Sequence, residues 1–213
     1  MNRNFYLRAY QLAFVSVIFW VLTSESHAQP SVGYVLSSTA NSSVITRSTG
    51  TQIPARRRTD LFVGDTLTTR SNETLILRML ESSEIHLYCQ SQLLIRQYPQ
   101  TQRLTPIILE LISGNMRVID GRVRDQDFTV ITPVATLEQN KASFEIIQES
   151  PTRYLFALYD GTMRLSSPQG EVIQDATEEP RFLSFPQGGM PEILTAAEYL
   201  SRRTVVCTAI NNR

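Results

Sequence analysis

The chain predicts an all-β domain of short strands, arranged as a β-sandwich or a β-solenoid-like coil and closed by one C-terminal helix. From Leu61 to Gln174 one grammar repeats: a turn signal, then a short run of alternating or β-branched apolar residues. Val63-Gly64-Asp65 opens Thr66–Thr69, Ser71-Asn72-Glu73 opens Thr74–Leu80, and Glu81-Ser82-Ser83 precedes Glu84–Cys89. Ser113-Gly114-Asn115 precedes Met116–Ile119, and Tyr159-Asp160-Gly161 turns into Thr162–Leu165. Closely spaced short strands with turn residues between them indicate hairpins or coils of a β-domain.

The first 28 residues stand apart. Arg3 and Arg8 form a basic n-region, Leu12–Leu22 is an apolar core, and Ser26-His27-Ala28 places small residues before a cleavage point between Ala28 and Gln29. This pattern is a secretory signal peptide. Its apolar run falls short of the ~20 residues that span a bilayer, so no stable membrane span is expected after cleavage. No cysteine follows the apolar core to accept a lipid, and the single Trp20 leaves with the signal. The domain organisation read here is therefore a signal peptide over 1–28, a β-domain over 29–185, and a helix with its tail over 186–213.

Within the mature chain, Ser31–Leu36 and Ser43–Arg47 read as two short strands around a turn at Thr39–Ser42. Arg56-Arg57-Arg58 is the one basic run and fits a solvated turn. Ile85, Leu87 and Cys89 share one face of a strand, and Glu84, His86, Tyr88 and Gln90 the other. Ile107–Ile112 is apolar on both faces, which predicts a central strand covered on both sides. Phe128, Val130 and Thr132 alternate with Thr129, Ile131 and Pro133, and the proline ends that strand or sits at an edge. Tyr154–Tyr159 reads as a second central strand, after the Pro151-Thr152-Arg153 turn. Asp175–Pro180 is acidic and turn-forming, Arg181–Phe185 is a last strand, and Pro186-Gln187-Gly188-Gly189 breaks the chain. A helix over Pro191–Arg202 follows from Ile193, Ala197 and Leu200 at i, i+4 and i+7, with Arg202 and Arg203 in its last turn.

Three segments carry a resemblance. Leu61-Phe62-Val63-Gly64-Asp65-Thr66-Leu67-Thr68-Thr69 resembles the "VGDxLxT" opening of the FecR domain family. Leu111 to Arg122 is similar to that family's "L-x-x-G-x-x-R" strand pair, and Phe128 to Thr136 to its "V-x-TP-x-A" signature. The chain departs from the pattern where Glu138-Gln139-Asn140-Lys141-Ala142-Ser143-Phe144 replaces the usual Gly-x-Arg-Gly-Thr before a Phe. It departs again where Glu81-Ser82-Ser83 replaces Asp-Gly-Ser. FecR-type regulators carry a cytoplasmic anti-sigma segment and a transmembrane helix ahead of this domain. Here the domain follows a signal peptide, so the resemblance implies an exported periplasmic FecR-domain protein rather than a transmembrane anti-sigma regulator.

Bulk properties and missing motifs narrow the chemistry. The 213 residues hold 20 basic and 20 acidic side chains and are 42% hydrophobic, which fits a folded domain with no broad attraction to nucleic acid. His86 is the only histidine outside the signal, and no phosphate loop, nucleophile elbow, Cys-x-x-Cys pair or metalloprotease helix is present. Glu178-Glu179 reads as solvated loop charge, and Asn41-Ser42-Ser43 and Asn72-Glu73-Thr74 are formal glycosylation sequons. No catalytic, metal or cofactor-binding residue is expected. Cys89 and Cys207 are the only cysteines, and in an oxidising compartment they form a possible disulfide between the β-domain and the tail, the alternative being two buried thiols. Such a bridge requires Cα atoms within about 7 Å and would stabilise by about 4 to 5 kcal/mol on the chain-entropy account.

Three functions stay open on this reading. The first is a non-enzymatic periplasmic protein that binds an envelope protein or polymer. The second is a regulatory relay component acting on a separate transmembrane signalling partner. The third is a polysaccharide-active enzyme on a β-scaffold, for which a paired set of buried carboxylates in a cleft would be diagnostic.

Overall fold

The computed structural model describes residues 29–99, 106–119 and 128–206. The signal segment 1–28 and Cys207 lie outside the described residues. Among the described residues sixteen strands join into one sheet, and strand β12 (Thr136–Ser150) sets its architecture. The first part of β12 pairs with β11 (Phe128–Ile131). Beyond β11 lie β9 (Ile107–Ser113), β8 (Gln92–Gln97), β5 (Thr66–Thr68), β2 (Val44–Thr46) and β3 (Gln52–Pro54). The later part of β12 pairs with β10 (Asn115–Ile119). Beyond β10 lie β7 (Glu84–Leu87), β6 (Leu75–Met79), β1 (Gly33–Ser38) and β4 (Asp60–Leu61). The sheet thus divides into two arms. Leu67, Leu93 and Leu109 of one arm and Leu77, Ile85 and Val118 of the other belong to one buried core.

The chain shuttles between these layers. β5 lies in the first arm, β6 and β7 in the second, β8 and β9 in the first again, and β10 in the second. The result is one large sheet whose two arms enclose a shared core as the chain passes from arm to arm, the mostly β fold with a single C-terminal helix expected from the sequence. β9 and β11 are parallel, while the neighbouring pairs are antiparallel, so the sheet is mixed. Period-two alternation is met where it is strongest: β6 and β7 bury Leu75, Leu77, Met79, Ile85 and Leu87 and leave the residues between half-buried.

Several elements differ from the sequence reading. The two strands read around the Thr39–Ser42 turn are present, shifted to β1 (Gly33–Ser38) and β2 (Val44–Thr46), and they join different neighbours: β1 joins β4 and β6, while β2 joins β3 and β5. β9 is central, yet its second face is only partly covered, and Ile112 is 37% exposed. Tyr159-Asp160-Gly161 is no turn. It lies inside the continuous strand β13 (Arg153–Ser167), which runs along β12 from Thr136↔Ser166 to Ser150↔Arg153. The register shifts around Asn140 and Ser143, opposite Gly161 with its φ of 85°. There β12 leaves one arm for the other, and a bulge supplies the bend. The Glu138–Phe144 departure from the family pattern therefore lies in strand β12, at its bulge.

β13 carries β14 (Gly170–Asp175) at one end and β15 (Arg181–Pro186) at the other, with β16 (Glu192–Leu194) beyond β15. Helix α1 covers Ala196–Val206, so the start predicted at Pro191 is corrected to a strand followed by a helix. Thr195 and Glu198 form a reciprocal cap. The Thr195 N–H donates to Glu198 Oε2 at 2.8 Å, and the Glu198 N–H donates back to Thr195 Oγ1 at 3.3 Å. The face predicted to pack, Ile193, Ala197 and Leu200, is exposed; Leu194 and Tyr199 are buried instead. Tyr154–Tyr159 is covered on both sides as expected. Tyr154, Phe156 and Leu158 enter the main core, and Leu155 and Ala157 pack with Leu194 and Tyr199 beneath α1.

One turn invites a test. Ser82, where the family has glycine, sits at φ 74° between β6 and β7, and its N–H bonds Met79 O at 3.0 Å. A left-handed backbone costs an L-residue about 1 kcal/mol that glycine avoids. Ser82→Gly is expected to raise the midpoint of urea unfolding by the equivalent of about 0.5 to 1 kcal/mol, and a fall would contradict this account.

Candidate functional site

The residues of the three motifs lie mainly where the chain changes layers. Gly64 has φ 89°, and a Cβ there would come within 2.9 Å of Ser48 Cβ. Beside it Asp65 is almost fully buried. One oxygen accepts the Phe62 N–H at 2.8 Å and also meets the Arg47 guanidinium, which lies 4.8 Å over the Phe62 ring. Burial raises the Asp65 pKa more than the Phe62 N–H and Arg47 lower it. The aspartate therefore holds the corner together and is unavailable to a ligand.

Glu73 plays the same part at the next crossing. Its carboxylate accepts Ser38 Oγ at 2.7 Å, the Ser42 N–H at 2.9 Å and Ser42 Oγ at 2.8 Å. Burial pushes its pKa up, but the hydrogen bonds, led by Ser38 and Ser42, outweigh it and bring the group down to about 2. The asparagines of both sequons lie at these turns with positive φ, 54° at Asn41 and 63° at Asn72. A depressed carboxylate stabilises the fold above its ordinary pKa of 4.5 and loses that contribution as pH falls through about 2. The shift corresponds to about 3 kcal/mol. Glu73→Gln is expected to lose most of this at pH 7 and to flatten the stability profile between pH 4.5 and 2 in acid titrations followed by circular dichroism. An unchanged profile would reject the assignment.

Gly114, at the crossing from β9 to β10, packs against Ser91, at the crossing from β7 to β8. Ser91 Oγ donates to Asn115 O at 2.9 Å and accepts the Asn115 N–H at 2.7 Å, and the Ser91 N–H donates to Thr69 Oγ1 at 2.8 Å. Gln148 of β12 closes the node: its Oε1 accepts the Gly114 N–H at 2.6 Å, and its N–H donates to Asn115 Oδ1 at 2.9 Å. The "TP-x-A" signature is a hairpin turn between β11 and β12, where Thr132 Oγ1 accepts the Ala135 N–H at 3.1 Å.

Cys89 is buried at this node, with Asn115 Nδ2 3.8 Å from its sulfur. No free cysteine occurs among the described residues. His86, placed by its alternation on the polar face of the strand, is half-buried. Its Nε2 lies 3.3 Å from Glu84 Oε2, and its ring meets Tyr88 edge-on at 6.4 Å. Glu178 and Glu179 are exposed, and Glu179 pairs with Arg181 at 2.8 Å, as expected of solvated charge.

The most concentrated chemistry lies beneath α1, where the sequence reading had no candidate. Glu145 is completely buried on the outer face of β12. Its Oε2 accepts the Tyr199 hydroxyl at 2.6 Å and the Tyr159 hydroxyl at 2.9 Å, and its Oε1 accepts Arg203 at 3.0 Å. Arg117, the arginine of "L-x-x-G-x-x-R", lies one strand away opposite Glu145 and 4.8 Å over the Tyr159 ring. Burial, then the Glu145 charge, raises Tyr159 to about 12 and Tyr199 far beyond the usual phenol range. Burial alone would lower Arg203, but Glu145 and the two tyrosines raise it on balance. All three donors thus keep their protons near neutrality and hold a carboxylate in place. The signals for this cluster were the Thr195-Ala196-Ala197-Glu198 capping box and Tyr199 with Arg203 one turn on.

A shallow cleft of about 450 Å³ opens elsewhere on the outer face, lined by Pro106, Thr129, Glu138, Gln139, Thr162, Arg164 and Ile173. Among the described residues its lining holds one carboxylate, Glu138, and one guanidinium, Arg164. Among the described residues no cluster of three His, Cys, Asp or Glu side chains could hold a metal ion, and no helix is long and apolar enough to cross a membrane.

Comparison with known proteins adds the following. Two crystal structures, each described as a putative anti-sigma factor from Parabacteroides distasonis ATCC 8503, share this fold. The 1.65 Å structure is 14% identical with a TM-score of 0.51, the match covering 64% of this chain and 63% of the other. The 2.50 Å structure is 13% identical with the same TM-score, covering 64% and 62%. This chain thus spans under two thirds of either relative. No curated protein matches the sequence. The family described as FecR protein matches from Asp65 at the first corner, through Gly114, Arg117 and the Thr132 turn, to Arg164 of β13. Residues 65–164 of this chain are a FecR domain.

Proposed function

We propose that this chain is an exported, non-enzymatic protein of the periplasm whose FecR domain binds a protein partner. The observation that carries the reading is where its polar groups are used. Asp65, Glu73 and Glu145 are each filled by donors of their own chain, while the outward edges of β14 and β16 carry exposed Ile173 and Ile193. Open strand edges and exposed apolar side chains recognise proteins. The described relatives' anti-sigma name also points to protein partners, and the signal-peptide pattern of residues 1–28 supports export.

Crosslinking of the mature protein in its own envelope, followed by affinity capture, is expected to recover a specific protein. Recovery of polysaccharide alone, or of nothing above a control, would sink the reading. N-terminal sequencing of the exported form should begin near Gln29, and retained Met1 would overturn the periplasmic placement. The relay reading draws only on the relatives' name, and capture of a transmembrane protein coupled to a sigma factor would favour it.

A further inference from the structure

Among the described residues four strands pair with a single neighbour: β3, β4, β14 and β16. Three of these edges are blunted. β3 has three residues, one of them Pro54, and β4 has two. β16 has three and gives its Leu194 to the seat beneath α1. Short length, proline and bulges protect an edge, because unpaired backbone groups recruit another strand. β14 has none of these devices. Its six residues keep an unbroken register with β13, from Thr162↔Asp175 to Ser167↔Gly170.

The direction of its backbone groups follows from one bond. The Ala176 N–H donates to Gly161 O at 2.9 Å. Backbone groups alternate along an antiparallel strand, so Val172 and Gln174 also face β13, and Glu171, Ile173 and Asp175 turn theirs to the open side. Arg181 takes Asp175 O at 3.1 Å, and no described residue bonds the N–H or C=O of Glu171 or Ile173. The same three residues stand on the outer face as carboxylate, isoleucine, carboxylate. Val172 packs against the core, and Ile173 is 56% exposed at the lip of the cleft. Arg164 pairs with Glu171 at 3.3 Å and Arg181 with Glu179 at 2.8 Å, which leaves exposed Asp175 and Glu178 outside any described ion pair.

We infer that the open edge of β14 is a strand-addition site for an extended segment of a protein partner, laid antiparallel, with a basic residue two positions to either side of an apolar one. Main-chain hydrogen bonds to Glu171 and Ile173 supply the attachment, and alternate side chains supply the selection. Charge complementarity names the occupant. Residues opposite Glu171, Ile173 and Asp175 share one face, so an aliphatic side chain covers Ile173 while two cations meet the carboxylates. A second copy of β14 centred on Ile173 would instead set Glu171 against Asp175, and like charges directly opposite are destabilising. The FecR match ends at Arg164, so β14 lies outside the matched residues. The inference rests on the protein-binding reading and names one surface and occupant for it.

The test titrates a fluorescein-labelled peptide, Ser-Thr-Lys-Thr-Val-Thr-Lys-Thr-Ser, into the mature full chain and follows its anisotropy. Saturable binding is expected, with a Kd on the order of 10 to 100 μM. N-methylating the peptide's valine amide removes its bond to Ile173 O and should weaken binding about tenfold. Replacing both lysines by glutamate should weaken it by about tenfold or more. Ile173→Pro removes the central edge donor and leaves the β13 ladder intact, so it should weaken binding as N-methylation does, with an unchanged circular dichroism spectrum. The N-methyl peptide asks the same question of the unaltered chain, so the answer does not depend on that variant folding. No saturable binding, or binding indifferent to N-methylation, overturns the inference, and equal binding of the glutamate peptide overturns the stated occupant. Dimers of the unaltered chain that Ile173→Pro abolishes would assign the edge to a second copy and overturn the partner reading. Envelope capture of a partner equally by wild type and by Ile173→Pro would leave the proposed function standing and remove β14 from it.

Discussion

Gly114→Ala is expected to destabilise the domain by about 3 to 5 kcal/mol, enough to unfold much of a domain whose total stability is on the order of 5 to 15 kcal/mol. Two effects add. At φ 89° an alanine pays roughly 1 to 2 kcal/mol for a left-handed backbone. Its Cβ would also lie 2.4 Å from both Ser91 Cα and Ser91 Oγ and 2.8 Å from Gln90 O, and two of these are backbone atoms that cannot rotate away. The corner must separate, opening the node of Ser91, Asn115 and Gln148. Gly50 supplies the control, because its φ is 85° with nothing within 4 Å of a Cβ. Gly50→Ala should cost only the backbone part, about 1 kcal/mol. Equal unfolding midpoints for the two variants in guanidinium would show that the close approach at Gly114 carries no weight.

Glu145→Ala should cost about 2 to 3 kcal/mol and detach α1 before the sheet unfolds. Removing one partner from a buried charge pair commonly costs 3 to 5 kcal/mol, because the other is left uncompensated. Here the loss has a ceiling. Tyr199 and Arg203 both belong to α1, so the helix can lift and rewet them, and Arg203 is already 30% exposed. Denaturation followed at the far-UV helix signal should therefore precede that of the strands. A single coincident transition with under 1 kcal/mol lost would refute the clamp. Tyr199→Phe removes one donor and retains the stacking on Phe182, so it should cost about 1 kcal/mol.

Much of this molecule is local, and local rules were enough to read it. The inward runs Leu75–Leu77–Met79 and Ile85–Leu87 declare themselves by period two, since a strand with one buried face has no other way to place its apolar side chains. The corner residues Gly64, Gly114 and Thr132 are legible because each answers a backbone demand within a few residues. What failed was decided across the chain. Tyr159-Asp160-Gly161 has the composition of a turn, but Asp160 pairs with Ser143 of β12, and the flanking stretches of β13 pair with β15 before it and β14 after it, so it is held as a bulged strand. Ile193, Ala197 and Leu200 have helical spacing, yet the pairing of β16 with β15 extends the first of them, and the seat takes Tyr199 instead.

The candidate site lay beyond the sequence for the same reason. Glu145, Tyr159, Tyr199 and Arg203 are separated by up to 58 residues and share no local motif. Glu145 sits at a position that reads as an outward polar residue, and only the return of α1 over β12 turns it into a buried carboxylate. The sequence by itself determined the strand class, the inward faces, the corners and the FecR resemblance, because turn chemistry and side-chain alternation act over a few residues. The tertiary structure alone decided which arm each strand joins, where β12 crosses between arms, and which charge α1 encloses, because sheet pairing and desolvation depend on partners that the chain brings together only once folded.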